Sequence, residues 1–257
     1  MRESHFLPGI VVLFALGLLV TSSYAGIDPK TVVGMWLFDE GEGEIARDSS
    51  GKNNDVSLHN GTQWVEGKFG KALEFDGIDD FASANVPDAP QGTALRTVVG
   101  WAKSNNISIK GGIVAYGNPV LNCVFGFLHY GGIWYSQLWG AAPAFDVPTN
   151  VVVNTSWHHN AVLYDGKNVV HYIDGEKVSS EPRTPTTQGT VLIIGEEVDG
   201  NDWFNGLVDE VAIFNVVLAQ EDIRAIMNTG LYAAVGIGKV VMAEGTLSTT
   251  WGSIKRR

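Results

Sequence analysis

Basic residues are scarce in this chain. Lys and Arg number 17 against 28 Asp and Glu, for a formal net charge of −11. Nucleic acids and anionic membrane surfaces attract basic patches, so this balance argues against both as partners. Cysteine is almost absent: Cys123 is the only one. A single cysteine makes no internal disulfide, so packing or a bound metal must hold the fold. Its setting, Cys123-Val124-Phe125-Gly126-Phe127, reads as a buried, inert thiol. After the first 25 residues no apolar run is long enough to span a bilayer. There is no Gly-x-Ser-x-Gly, no His-Glu-x-x-His, no phosphate loop and no complete EF-hand loop. Proline (9) is sparse, whereas glycine (31) is not.

What is present begins with an address. Arg2 precedes the apolar run Phe6–Val20, and Ser23-Tyr24-Ala25 offers small residues at a cleavage site. This is the pattern of a secretory signal peptide over residues 1–25. The run is shorter than the roughly 20 residues a bilayer span needs, although an uncleaved N-terminal anchor is the other reading. The expected location is secreted or in the cell envelope.

The glycines lie between short runs rich in Val, Ile, Phe, Tyr and Trp, with turn signals such as Asp76-Gly77, Asp165-Gly166 and Asp174-Gly175. That pattern predicts many strands joined by turns. Expected strands include Val33–Phe38, Ala72–Phe75, Thr97–Ala102, Val124–His129, Ile133–Leu138, His158–Tyr164 and Gly206–Phe214. One helix is expected, where Ile223, Ile226 and Met227 recur at helical spacing, Glu221 and Asp222 suit its start and Gly230 its end. The fold class is therefore all-β: a two-sheet antiparallel β-sandwich with one short C-terminal helix, over 26–232, and an extension at 233–257.

Four segments carry a family resemblance. They are Gly34–Asp39 with Asp48–Asn54, Gly70–Phe81, Ser156–Gly175 and Phe204–Asn215 with the helix that follows. In this order they resemble the LamG-like jelly-roll domains of the concanavalin A-like lectin/glucanase superfamily, over roughly Val32 to Leu231. The resemblance implies the jelly roll. It says less about function, because the architecture hosts lectins, adhesion modules and glycosidases.

Three constellations could carry chemistry. The resemblance implies that the loop around Asp48 packs near the closing strand, towards Asp209, with Asn54 adding an oxygen to a structural Ca²⁺ site. The other reading makes Asp48 a turn residue and has Asp209 accept backbone N–H groups. Period-two alternation puts Leu207, Asp209, Val211 and Ile213 on one face. Sugars stack on aromatic rings, and alternation puts Tyr135, Gln137 and Trp139 together with Trp134 opposite. Tyr116 and Trp203 are further ligand candidates, whereas Trp36, Trp101 and Trp157 are expected between the sheets. Glycosidase chemistry needs paired carboxylates, which glucanases of the resembled superfamily carry as Glu-x-Asp-x-x-Glu; that run is missing. Asp209-Glu210 and Glu196-Glu197 are adjacent and point apart. His129 and His171 read as structural. The expectation is a non-enzymatic binding module for carbohydrate or a cell-surface or extracellular protein. A glycosidase and an envelope adhesion protein are the alternatives.

Overall fold

The computed structural model describes residues 26–139 and 145–236. The signal-peptide reading and most of the expected C-terminal extension fall outside the described residues.

After a 3-10 turn at Pro29–Thr31 the described residues form sixteen strands and two helices. In order they are β1 (Val32–Trp36), β2 (Ile45–Ala46), β3 (Val56–His59), β4 (Gln63–Glu66), β5 (Lys71–Asp76), β6 (Phe81–Asn85), β7 (Arg96–Ser104) and β8 (Gly111–Gly117). There follow β9 (Val124–Tyr130), β10 (Ile133–Gln137), β11 (Val147–Val152), β12 (His158–Tyr164), β13 (Asn168–Ile173), β14 (Glu176–Pro182), β15 (Val191–Ile194) and β16 (Asn205–Phe214). The chain continues into α1 (Gln220–Thr229) and α2 (Leu231–Val235), so the single expected helix is a pair.

The strands make two eight-stranded antiparallel sheets. The first runs β14-β13-β12-β7-β16-β5-β4, with β1 also on β16; the second runs β11-β10-β9-β8-β15-β6-β3-β2. Alternation gives each sheet one face for the common core. Trp36, Phe38, Phe75, Val98, Tyr116, Phe125, Phe127, Trp134 and Val162 fill it, each almost fully buried. The opposite face of the first sheet offers Val99, Ala161, Leu163, Ala212 and Phe214, and Ile223 and Ile226 of α1 with Leu231 of α2 cover them. Helix α1 follows its sequence signals: Asp222 accepts a hydrogen bond from the Ala219 N–H, and Gly230 ends it at φ 81°.

Strand β16 departs from the expected alternation. Its register on β7 slips between Asp209 and Ala212, and Glu210 has a φ of 47°. Two residues face one at this bulge, which inverts the side-chain phase. Val208, Val211 and Ile213 therefore enter the inner core, whereas Asp209 faces outward. The expected row of Leu207, Asp209, Val211 and Ile213 is broken by one residue.

The second sheet's outward face positions the candidate site. Residues 196–197, just after β15, cross it directly above β8. The crossing needs Gly112: a Cβ there would lie 2.3 Å from the Glu197 nitrogen and 2.4 Å from the Glu196 carbonyl.

Candidate functional site on the outer sheet face

Strand β10 has Trp134 in the inner core and Tyr135 and Gln137 on the outward face, as alternation predicts. Trp139 follows the strand at φ 66°. Asp146 fixes that turn by accepting the N–H groups of Leu138 (2.8 Å) and Trp139 (2.9 Å) on one oxygen, Oδ1. The result is a cleft of about 410 Å³ lined by Trp139, Leu121, Lys110, Asp146 and the β15–β16 loop residues Glu197, Asp199 and Asp202.

The polar groups of the cleft are tightly arranged. Lys110 Nζ lies 2.5 Å from Glu197 Oε2 and 3.0 Å from Asp202 Oδ2. Gln137, fully buried, donates through Nε2 to Glu197 Oε1 at 3.1 Å. Two buried atoms beside the cleft have no hydrogen-bond partner: Gln137 Oε1 and Trp139 Nε1. Burial pushes the Asp146 carboxyl up to about 6 and that of Glu197 to about 7, with the Lys110 ammonium opposing the shift in both. The same carboxylates hold the Lys110 ammonium above its ordinary range despite its burial.

Tyr135 is half-buried, its ring 6.3 Å from the exposed Tyr130. Both stand on the cleft's side of the sheet. Trp203, on the β15–β16 loop, donates to Glu196 rather than lining the cleft. Tyr116 is a correction. It lies in the inner core with no exposed surface, donating to the Pro90 carbonyl at 2.8 Å and accepting from Arg96 at 3.1 Å, so no ligand reaches it. Trp101 is buried, but on the outward face of the first sheet, with Phe69 and His159 against its ring and Lys68 Nζ 4.4 Å from its centroid. Trp157 is half-buried and belongs to neither core, whereas Trp36 is a core residue as expected.

Asp48, Asn54 and Asp209 are not brought together as a ligand set. Asp48 accepts from the backbone N–H groups of Met35, Ser50 and Asn54 at 2.9–3.1 Å. Asn54 spends its side-chain amide on the Val33 carbonyl. Asp209 accepts through Oδ2 from the Lys68 and Phe69 N–H groups, at 2.8 and 2.9 Å. Asp48 bridges Trp36 on one edge of β1, while β16 pairs with the other edge. The turn-residue and backbone-acceptor reading describes both carboxylates. The carboxylates that do cluster, among the described residues, are Asp76, Asp79 and Asp80 at the β5–β6 turn.

Ser136 Oγ, His171 and Asn160 form a relay, with contacts of 3.2 and 3.1 Å, that has the composition of a nucleophile site. All three are fully buried between the sheets, where the relay ties one sheet to the other. His129 makes the matching tie to Ser104 at 3.2 Å. Both histidines are structural, as expected.

The residues missed in the sequence are Lys110, Asp146, Asp199 and Asp202, and Glu197 was weighed there only as one of an adjacent carboxylate pair. Their loops are far apart in sequence, and only the β11-β10-β9-β8-β15 strand order unites them. Trp139 and Gln137 were legible because alternation is local.

Two eight-stranded antiparallel sheets packed face to face define a jelly-roll class of protein. A family model described as the concanavalin A-like lectin/glucanases superfamily matches residues 76–224, and the chain belongs to that superfamily. No curated protein matches it. Among solved structures it is similar to domain 4 of AbnA, a GH43 extracellular arabinanase from Geobacillus stearothermophilus, in complex with arabinotriose. That likeness has 20% identity and a TM-score of 0.62, over 77% of this chain and 98% of that one. The binding domain of Paraclostridial Mosquitocidal Protein 1 is similar at 15% identity and TM-score 0.62, over 78% of this chain and 52% of that one. A botulinum neurotoxin type C structure, whose cell entry is described as dependent on two ganglioside molecules, matches at 15% identity and TM-score 0.61, over 79% and 52%. This chain thus spans about half of each toxin chain. At these identities the likeness establishes the shared fold. Among the described residues no helix is long and apolar enough to cross a membrane.

Proposed function

We propose that the chain is an exported, non-catalytic module that binds carbohydrate in the Trp139 cleft. The observation that carries this reading is the cleft itself, about 410 Å³, with the half-buried Trp139 ring on its wall beside the polar side chains of Lys110, Asp146, Glu197 and Asp202. A polyol supplies hydroxyls that donate to such carboxylates and accept from such an ammonium. The Trp139 ring supplies the apolar wall on which a sugar face rests. Of the neighbours with the same fold, one is a toxin's binding domain and another, an arabinanase domain, was solved in complex with arabinotriose, which supports the class of ligand.

Elevated carboxyls in a cleft also suit a glycosidase acid, and Asp146 and Glu197 are such groups. Glu197, however, has one oxygen on Gln137 and the other on Lys110. A general acid must be free to hand its proton to the leaving group. The test is a glycan array run beside a reducing-end assay on the same polysaccharides. Binding without hydrolysis, reduced in Trp139→Ala, is the expected result. Hydrolysis of any polysaccharide would overturn the non-catalytic reading. Silence across a broad array would favour an adhesion or envelope role.

A further inference from the structure

We propose that Asp146 is a positioning residue: by its hydrogen bonds, not its charge, it holds Trp139 in a left-handed backbone conformation that puts the indole on the cleft wall. Its bearing on recognition rests on the carbohydrate reading above. Trp139 sits at φ 66°, where bulky L-residues are rare and glycine is at ease. Its indole N–H is also buried without a hydrogen-bond partner. Both features cost stability, and a glycine at this position would avoid both. What only the tryptophan supplies is a half-buried ring lining the cleft.

The turn is held from both sides. Asp146 Oδ1 accepts the N–H groups of Leu138 and Trp139 at 2.8 and 2.9 Å. The Trp139 carbonyl accepts from the Asn122 N–H at 3.1 Å. Asn122 is anchored in turn to the β14–β15 loop. Its Nδ2 donates to the Thr184 carbonyl at 2.8 Å, and its carbonyl accepts the Thr186 N–H at 3.0 Å. Leu138, the residue before Trp139, is fully buried in the inner core. Packing therefore fixes the chain up to Leu138, and Asp146 sets the direction in which it leaves β10. Asp146 is itself buried, so water competes little for its two bonds. An amide oxygen in the same place accepts the same two N–H groups, whereas a methyl accepts neither. With both N–H groups released, nothing on that side maintains the strained φ, and the ring is free to leave the wall.

The experiment compares Asp146→Ala and Asp146→Asn in the full chain by two readouts. Acrylamide quenching follows the ring with no saccharide present. The chain has eight tryptophans, so the Trp139 signal is the difference between each protein and its Trp139→Phe counterpart. That signal should be more readily quenched in Asp146→Ala than in the wild type, and Asp146→Asn should restore it. Calorimetry with arabinotriose, cellotetraose and xylotetraose follows recognition. Asp146→Ala should weaken binding about tenfold, the scale of losing an aromatic contact, and Asp146→Asn should recover most of it. The cost of Asp146→Ala should be smaller when Trp139 is already alanine, because the carboxylate acts through the ring. Equal losses in Asp146→Asn and Asp146→Ala, or an equal cost with and without Trp139, would overturn the proposal, since the carboxylate would then act by its charge or on the saccharide itself. Should Asp146→Ala not fold, retained binding and quenching in Asp146→Asn support the proposal and their loss overturns it. The expected quenching pattern in a protein that binds no saccharide would overturn the carbohydrate reading and leave the positioning role standing.

Discussion

At the residue scale, what distinguishes a cleft residue from a core residue is exposure. Tyr116 and Trp139 look alike as aromatics in strand-rich sequence. Tyr116 has its hydroxyl satisfied by Pro90 and Arg96, and burial pushes it up to about 12. Trp139 is half-buried, with its ring on the cleft wall. Nothing local in the sequence separates these cases, because Arg96 lies twenty positions from Tyr116 and meets it only across the core. Asp48 is the converse. Its turn-rich setting already allowed the backbone-acceptor reading, and three N–H groups make it so. Asp48→Ala strands those donors and should cost about 1–3 kcal/mol. With three backbone N–H groups on the carboxylate, denaturant melts are expected to show the same loss with added calcium as with chelator. A loss that vanished on chelation would restore calcium to Asp48.

At the element scale, the strands that escaped the sequence reading are mainly the outermost ones. Strands β4 and β14 end the first sheet, and β2 and β11 end the second. An edge strand is wet on one side and needs no continuous apolar face, and β14, Glu-Lys-Val-Ser-Ser-Glu-Pro, shows the charges and proline by which edges avoid further pairing. Central strands such as β7 and β9 were legible because burial on both faces forces apolar runs. The β16 bulge was not legible, since nothing in Asp209-Glu210 announces a φ of 47° at a non-glycine. The loop that builds the cleft depends on an element contact of the same hidden kind. Gly112→Ala places a methyl against the backbone of residues 196–197. The loop must shift, carrying Glu197 away from Gln137 and Lys110. The expected outcome is a loss of about 1–3 kcal/mol in stability, the range for overpacking, with a weakening of glycan binding larger than the melting shift accounts for. Unchanged binding in a folded Gly112→Ala protein would show that the loop plays no part in recognition.

At the scale of the whole molecule, the two sheets were foreseeable from strand count and turns, but the strand order that unites Lys110, Asp146 and Glu197 is a long-range property. That order also fixes how stability responds to pH. Burial between strands holds His129 and His159 down at about 4 and His171 at about 3. The unfolded chain protonates these rings near 6.5, so their neutral burial stabilises the fold above that pH. The benefit is lost progressively as pH falls from 6.5 towards the folded values. The buried carboxyls work the other way. Asp146 is raised to about 6, Glu197 and Asp209 to about 7 and Glu210 to about 8, with desolvation the leading cause in each. The folded state keeps their protons where the unfolded chain has lost them, so stability is full below about 4 and falls as pH rises through the folded values. Between about 4 and 6.5 the two sets oppose each other. Above 6.5 the histidines are spent and only the carboxyls still act. The urea midpoint should therefore be nearly level from about pH 4.5 to 6.5 and decline from there to about pH 8. Asp209→Asn removes a fully buried carboxylate that has one oxygen unpartnered. It should lessen the decline above pH 6.5 and, because its opposition to the histidines is lost as well, tilt the level stretch between about pH 4.5 and 6.5 upward with pH. A midpoint that climbs between pH 6.5 and 8, or a decline that Asp209→Asn leaves as steep as before, would show that the buried carboxyls are not what couples this fold to protons.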